Sequence, residues 1–466
     1  RYRLQTFFGR LGCVTIKKAQ IETGQGDGGN VTGFRKSKTI KRLARIVAGT
    51  MAAQLLLSFI HAGSARAADP VNLNIEASSA ILIEASTGQV LYEMNADEPR
   101  PPASMAKMMT EYLVMDAVKS GKISMDDLVP VSKYASEVIG SGDMLAEGEK
   151  LTVRDMFYAL SIYSANDAAV ALAEFVGGTE ENFVKMMNET ARKMGFNEKS
   201  QFINSTGLSR ADLGKYAPTS IQGETVMTAR DAAILARHIV LDHPEVLEFS
   251  KIPSKKLRPT DKDPMINWNW MLEGNAGVQN FRKYVYPGVD GLKTGHTDEA
   301  GYCFTGTALR NGMRLISVVM NTASEEQRFL QTQKLFDYGF NNFELKTVIP
   351  AKSEIDALKT IPVKKGVKKE VPVVTDQAVR FVVKKGENPE LSVQAEPLAE
   401  IKSAPIKQGD VLGTAKVSYN GIERQVNLIA AEDMEKGSWI RLFFRGIQTF
   451  FGNIFAGIGN ALKNLF

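Results

Sequence analysis

Three short strings carry residue types suited to acyl chemistry: Ser104-Met-Ala-Lys107, Ser164-Ala-Asn166 and Lys293-Thr294-Gly295. On a helix, the first places a hydroxyl and an amine one turn apart on one face, within hydrogen-bonding reach. That pairing suits a serine nucleophile whose proton goes to lysine instead of histidine. At a helix start, Ser104 also lies near unsatisfied backbone N–H groups, which can hold a developing oxyanion. Lys107 must be neutral to accept a proton, and burial beside a second lysine, Lys293, lowers its pKa. Ser164 offers a hydroxyl that can relay a proton between Lys107 and a departing amine. Asn166 offers an amide to a substrate peptide carbonyl. Lys293 and Thr294 offer a cation and a hydroxyl to a free carboxylate, while Gly295 lets a substrate backbone approach the strand edge. These parts together describe acyl transfer from a peptide that ends in a carboxylate.

Each string alone has a plain structural reading: a helix cap, a turn and a strand-end turn. Their order and wide spacing in one chain argue for three pieces of one site. His296 follows the third string directly and invites a Ser–His reading. A complete serine–lysine apparatus needs no imidazole, so the expectation for His296 is that its backbone N–H completes the oxyanion hole. No Cys/His cluster and no H-E-x-x-H string occurs, so neither metal nor cofactor is expected.

Alternating strand and helix patterns from Asn72 to about Asn321 would position these groups. Ala80 to Glu84 and Gln89 to Glu93 read as strands around the turn Ser86-Thr87-Gly88. Apolar spacing predicts a helix from Ser104 to Lys119. Thr152-Val-Arg-Asp155 resembles a capping box that opens a helix through Ile162. Helices follow at Glu180 to Met194 and Ala229 to Leu241. The chain returns to strand after Gly295, with Tyr302 to Leu309 and Arg314 to Asn321 flanking the hairpin turn Arg310-Asn311-Gly312. The expected class is α+β, an antiparallel sheet with helices packed against it and the second half of the sheet late in sequence.

After Leu345 the composition turns to Val, Ile, Lys and Pro, with extended runs at Lys346 to Ile349, Glu370 to Val374 and Val379 to Val383. We expect a small all-β domain over residues 346–436, following a catalytic domain over 68–345. In the last segment, 437–466, Trp439, Ile440, Phe443, Phe444 and Ile447 fall on one side of a helix and Arg441 and Arg445 on the other. Trp439–Phe466 therefore reads as an amphipathic helix lying in the plane of a membrane surface.

The net charge of +5 is uneven along the chain: residues 1–67 hold twelve Lys/Arg and two Asp/Glu, leaving 45 against 50 in the remainder. The basic excess gives no reason to expect a nucleic-acid partner. Arg35, Lys36, Lys38, Lys41, Arg42 and Arg45 precede an apolar run from Ile46 to Ile60, and Ala65-Arg66-Ala67 follows. This is the pattern of a secretion signal cleaved after Ala67, which assigns residues 1–67 to a leader and the protein to the outer face of a membrane. Residues 1–30 are Gly-rich, odd for a leader, and read as an over-extended frame. Of two cysteines, only Cys303 lies beyond the leader, so it pairs with nothing internal and reads as a packed thiol.

The longer strings around the motifs resemble a known family. They are Ala80-Ile-Leu-Ile-Glu-Ala-Ser-Thr-Gly88, Pro102-Ala-Ser-Met-Ala-Lys-Met-Met-Thr110, Ser161-Ile-Tyr-Ser-Ala-Asn-Asp-Ala168, Phe202-Ile-Asn-Ser-Thr-Gly-Leu208 and Asp290-Gly-Leu-Lys-Thr-Gly-His-Thr-Asp298. The chain resembles the low-molecular-mass penicillin-binding proteins of the serine-type D-alanyl-D-alanine carboxypeptidase family. The resemblance implies a transpeptidase/β-lactamase-like catalytic domain, followed by the β domain and the terminal amphipathic helix. It implies removal of the terminal D-Ala from peptidoglycan stem peptides, with Ser104 as acyl-enzyme nucleophile and Lys107 as proton acceptor. It further implies Ser164 and Asn166 as the second catalytic element, Lys293 as substrate-binding, and β-lactam antibiotics as acylating mimics. A class A β-lactamase would add a glutamate in an E-x-x-L-N setting, and no such string lies between Asn166 and Lys293. A non-catalytic wall-binding scaffold would have no use for a neutral lysine beside a serine.

Overall fold

Five antiparallel strands form the sheet on which the three motifs converge. The computed structural model describes residues 71–142, 145–400, 402–445, 447–448 and 451. The basic leader, its apolar run and Ala65-Arg66-Ala67 lie outside the described residues, as does the terminal segment after 451. Strands β1 (Ser79–Glu84) and β2 (Val90–Met94) form the expected hairpin. Helices α1 (Lys107–Lys119), α2 (Asn166–Gly177), α3 (Glu180–Lys193) and α4 (Ala229–Asp242) follow. Strands β3 (Val289–Thr297), β4 (Gly301–Arg310) and β5 (Met313–Thr322) complete the sheet in the order β2-β1-β5-β4-β3. Helix α5 (Glu325–Asn342) then packs on β4 and β5.

Helices cover both faces of this sheet. Side chains alternate along a strand, so Ile81 and Ile83 join a core with Met109 of α1, Ala169 of α2 and Leu235 of α4. Ala80 and Leu82 join a second core with Phe336 and Phe340 of α5. Burial on both sides is why β1 reads as an unbroken apolar run.

Three elements differ from the sequence expectation. Nine of the twelve residues of α2 are buried; a helix apolar around most of its circumference shows no stripe, so its period is invisible. Helix α5 fills a stretch where sequence patterning names nothing. Its start is nevertheless marked: Ser324 Oγ accepts from Gln327 N at 3.3 Å, and Glu325 and Glu326 occupy the first turn, where the helix dipole favours acid. Third, Lys293-Thr294-Gly295 lies within β3 instead of ahead of a strand. Pairing with β4 from Val289↔Ala308 to Thr297↔Gly301 overrides the poor strand propensity of Gly291 and Gly295.

The chain continues as β6 (Phe343–Ile349), β7 (Thr360–Pro362), β8 (Glu370–Thr375), β9 (Val379–Lys384), β10 (Ser392–Pro397), β11 (Val411–Tyr419) and β12 (Ile422–Ala430). Strand β6 pairs with β9, and the other five form a sheet in the order β7-β8-β12-β11-β10. This β region has its own core, which includes Val371, Val373, Phe381 and Leu428. It meets the first sheet at the β1–β2 turn. Gln89 Nε2 donates to Val382 O at 3.1 Å and Val382 N donates back to Gln89 Oε1 at 3.3 Å, so one side-chain amide pairs as a peptide unit would. Residues 439–445 are helical. Among the described residues no helix is long and apolar enough to cross a membrane. Cys303 is fully buried, and burial pushes its thiol up to about 11, as befits a packing residue.

Candidate active site

Ser104 lies in a short 3-10 turn, Ala103–Ala106, that leads directly into α1 at Lys107. The sequence placed it on the α-helix itself; the tighter turn keeps the i, i+3 spacing, and residues three apart eclipse in a 3-10 turn. Lys107 Nζ stands 2.8 Å from Ser104 Oγ and donates to Thr206 O at 2.9 Å. Asn204 holds that carbonyl in place: its Oδ1 accepts from Thr206 N at 3.0 Å and Gly207 N at 2.6 Å. Lys107 is wholly buried. Burial first, and repulsion from Lys293 second, push its amine well below the usual lysine range, against a smaller pull from Asp167 and Glu111. The result is an amine able to accept the Ser104 proton.

Ser164 ends a π-helical segment, Ala159–Tyr163, in the left-handed region at φ 65° and ψ 31°. The extra residue in that turn lifts the serine out of the helical run, as π-bulges at functional sites do. Lys293 Nζ stands 2.7 Å from Ser164 Oγ and donates to its neighbour Thr294 O at 3.3 Å. Burial lowers Lys293 to about 8, with Glu111 pulling it up and Arg328 pushing it down.

Ser104, Ser164, Thr294, Gly295 and His296 all line one cleft of about 360 Å³. The three strings, separate in sequence, therefore meet. Lys107, Lys293 and Asn166 sit behind this surface as buried residues. Two of the expected site residues carry a structural role as well. Asn166 Nδ2 gives one of its two N–H donors to Ile139 O at 2.6 Å and so also holds the neighbouring loop. Gly295 is required by the protein's own backbone, because a Cβ there would sit 2.4 Å from Pro102 O. The absent side chain is what lets β3 press against the Ser104 turn. The His296 ring stacks on Tyr302 at 4.1 Å between centroids, away from any serine–imidazole pairing.

The cleft also contains residues that no motif announced: Ser141, Trp268, Tyr302, Glu325 and Arg328. Arg328, from the first turn of α5, is 2 % exposed, and its Nε has no partner among the described residues. Its Nη2 donates to Glu325 Oε1 at 2.6 Å. A guanidinium with an unpaired donor, lining the same cleft as Thr294, suits a carboxylate. The capped start of α5 was the sequence signal that could have found it. Trp268 Nε1 and Ser141 Oγ both donate to Tyr163 O, at 2.9 and 2.7 Å, which ties the cleft rim to the residue before Ser164.

The comparisons agree with this geometry. Residues 64–324 match the D-alanyl-D-alanine carboxypeptidase family, and residues 343–436 match the C-terminal domain of penicillin-binding protein 5. The chain is similar to the D-alanyl-D-alanine carboxypeptidase DacF of Bacillus subtilis, 37 % identical over 79 % of this chain and 89 % of that protein. It is also similar to DacA of Escherichia coli, 31 % identical over 90 % of this chain and 98 % of that protein. Among solved structures, the peptidoglycan synthesis regulatory factor (PBP3) from Streptococcus pneumoniae matches with a TM-score of 0.67, 31 % identity, 78 % of this chain and 100 % of that one. Penicillin-binding protein 5 from Haemophilus influenzae matches with a TM-score of 0.62, 30 % identity, 78 % of this chain and 98 % of that one. With its transpeptidase/β-lactamase-like sheet and following β domain, the chain belongs to the D-alanyl-D-alanine carboxypeptidase family of penicillin-binding proteins.

Proposed function

We propose that this protein removes the terminal D-Ala from peptidoglycan stem peptides ending in D-Ala-D-Ala, through an acyl-enzyme on Ser104. The observation that carries the reading is a pair of serine–lysine contacts, 2.8 and 2.7 Å long, whose hydroxyls open on one cleft while both amines stay buried. In this reading, neutral Lys107 takes the Ser104 proton as Oγ attacks the penultimate D-Ala carbonyl. The C–N bond then breaks. Ser164 gives its proton to the departing amine and regains one from Lys107, while the Lys293 ammonium keeps Ser164 acidic from behind. Water, deprotonated by Lys107, hydrolyses the ester and frees Ser104. Arg328 and Thr294 hold the substrate's terminal carboxylate, a more direct role than Lys293 takes from its buried position. The Gly295–His296 strand edge faces the acyl group. Asn166 also fixes the Ile139 loop.

β-Lactams, which set a carboxylate beside a strained amide, acylate Ser104 in the same way. The test labels purified protein with a fluorescent penicillin in parallel with Ser104→Ala. Equal labelling of both sinks the nucleophile, and a protein that turns over penicillin without releasing D-Ala from a D-Ala-D-Ala peptide sinks the substrate.

We further place the working protein outside the cell membrane, with residues 1–67 as leader, 68–345 catalytic, 346–436 as the β domain and 437–466 on the membrane surface. Support comes from the apolar side chains at the start of the last segment. Trp439 is 76 % exposed and Phe443 and Phe444 are more than half exposed, a larger unpartnered apolar face than a soluble surface favours.

A further inference from the structure

Helix α1 carries a buried carboxylate that the mechanism above does not use. Glu111 lies one turn beyond Lys107 and is 1 % exposed, and its Oε1 has no hydrogen-bond partner among the described residues. Ser161, on the π-helical segment leading to Ser164, faces this carboxylate; its own hydroxyl is buried and has no partner at hydrogen-bond distance. A carboxylate buried with an open oxygen is costly unless nearby charge compensates it. Two amines supply that charge, Lys293 from β3 and Lys107 from α1. Asp167 at the start of α2 acts on Lys107, and Arg328 of α5, paired with Glu325, acts on Lys293. These are the charged groups that bear on the cluster from α1, α2, α5 and β3.

Of the two carboxylates, Asp167 acts on Lys107 alone while Glu111 acts on both amines, and two buried ammoniums would repel each other. We infer, on the catalytic reading above, that Glu111 is a positioning residue that sets which amine is charged: its carboxylate keeps Lys293 an ammonium behind Ser164 while Lys107 stays a free amine beside Ser104. Lys107 is the amine that yields, since it is wholly buried and feels the charge of Lys293. Lys293 is held at about 8, with Glu111 the chief influence raising it. Glu111 itself is pushed up to about 7 by burial, against the pull of Lys293. Removal of its charge lets Lys293 lose its proton at lower pH, and Ser164 then loses the ammonium that keeps it acidic.

The test follows the rate of acylation of the full chain by a fluorescent penicillin across the neutral and alkaline range. Wild type, Glu111→Gln and Glu111→Asp are compared, with Ser104→Ala in parallel. Glu111→Gln moves the alkaline limb toward acid by about one unit, the scale of a lost opposite charge, and lowers the rate on that shoulder about tenfold. Glu111→Asp, which keeps the charge, recovers most of the limb. An alkaline limb that superimposes on wild type in Glu111→Gln overturns the inference, even if the rate falls equally at every pH. Should Glu111→Gln lack a wild-type melting transition, Glu111→Ser, which leaves room for water, is read by the same limb. Labelling that survives Ser104→Ala sinks the catalytic reading and this inference with it. Labelling lost in Ser104→Ala, with an unshifted Glu111→Gln limb, sinks the inference alone.

Discussion

Lys293 Nζ reaches Ser164 Oγ at 2.7 Å across 129 positions of sequence, joining the middle of β3 to the end of a π-helical turn. The companion contact, Lys107 to Ser104, spans three positions and is set by one stretch of backbone. The site thus has a local half, built into one turn, and a distant half that exists only when the sheet has closed.

The distant half predicts a pH dependence. Lys293 is an ammonium below about 8 and a free amine above it. Acylation of Ser104 should therefore decline as pH rises through about 8, while the acid limb, set by Lys107, lies well below the ordinary lysine range. A pH–rate profile for penicillin acylation measures both limbs. A profile that keeps rising through the alkaline range contradicts the assignment of Lys293.

Lys107→Met should fold, because the replacement is apolar and of similar length in a fully buried position. It removes the base, so acylation should fall about 10²- to 10⁴-fold, the usual range for a positioned proton acceptor. Stopped-flow labelling reads the rate, and circular dichroism confirms the fold. A loss below tenfold would mean that another group takes the Ser104 proton.

Arg328→Gln tests the carboxylate pocket. Loss of a charge-assisted hydrogen bond, worth about 1.5–3 kcal/mol, should raise KM for a D-Ala-D-Ala peptide at least about tenfold. Substrates with an amidated end should be nearly indifferent to the change. If both substrates weaken equally, Arg328 supports the fold of α5 and does not read the carboxylate.

Truncation before Trp439 should leave D-Ala release intact and free the protein from membranes in a sedimentation assay. Arg445, which donates to Gly366 O and Val367 O at 2.9 and 2.8 Å, ties this segment to the β region. Its loss exposes those two carbonyls to water without touching the cleft. Truncated protein that still sediments with membranes rules out the terminal helix as the anchor.

Ser104 and Lys107 were legible because helical geometry converts an i, i+3 spacing into contact, and the hairpins were legible from their turn residues. Arg328 and Trp268 were not. Neither sits in a motif, and both reach the cleft through elements whose placement depends on sheet order. Helix α2 was hidden by burial on nearly all sides, although its first residue had been singled out. Asn166 was assigned to the substrate from its amide alone, and nothing in the sequence signals that one of its two N–H donors goes to Ile139 O. Residue chemistry was readable from sequence; which neighbour satisfies it was not.

The backbone at Ser164 has a consequence for which hydroxyl can stand there. Serine and threonine donate and accept alike, so proton relay alone would admit either. At φ 65° a second group on Cβ crowds the main chain, and a β-branched residue in that region is a genuine outlier. Position 164 is closed to threonine by one methyl group, a steric selection made by the peptide chain before any proton moves.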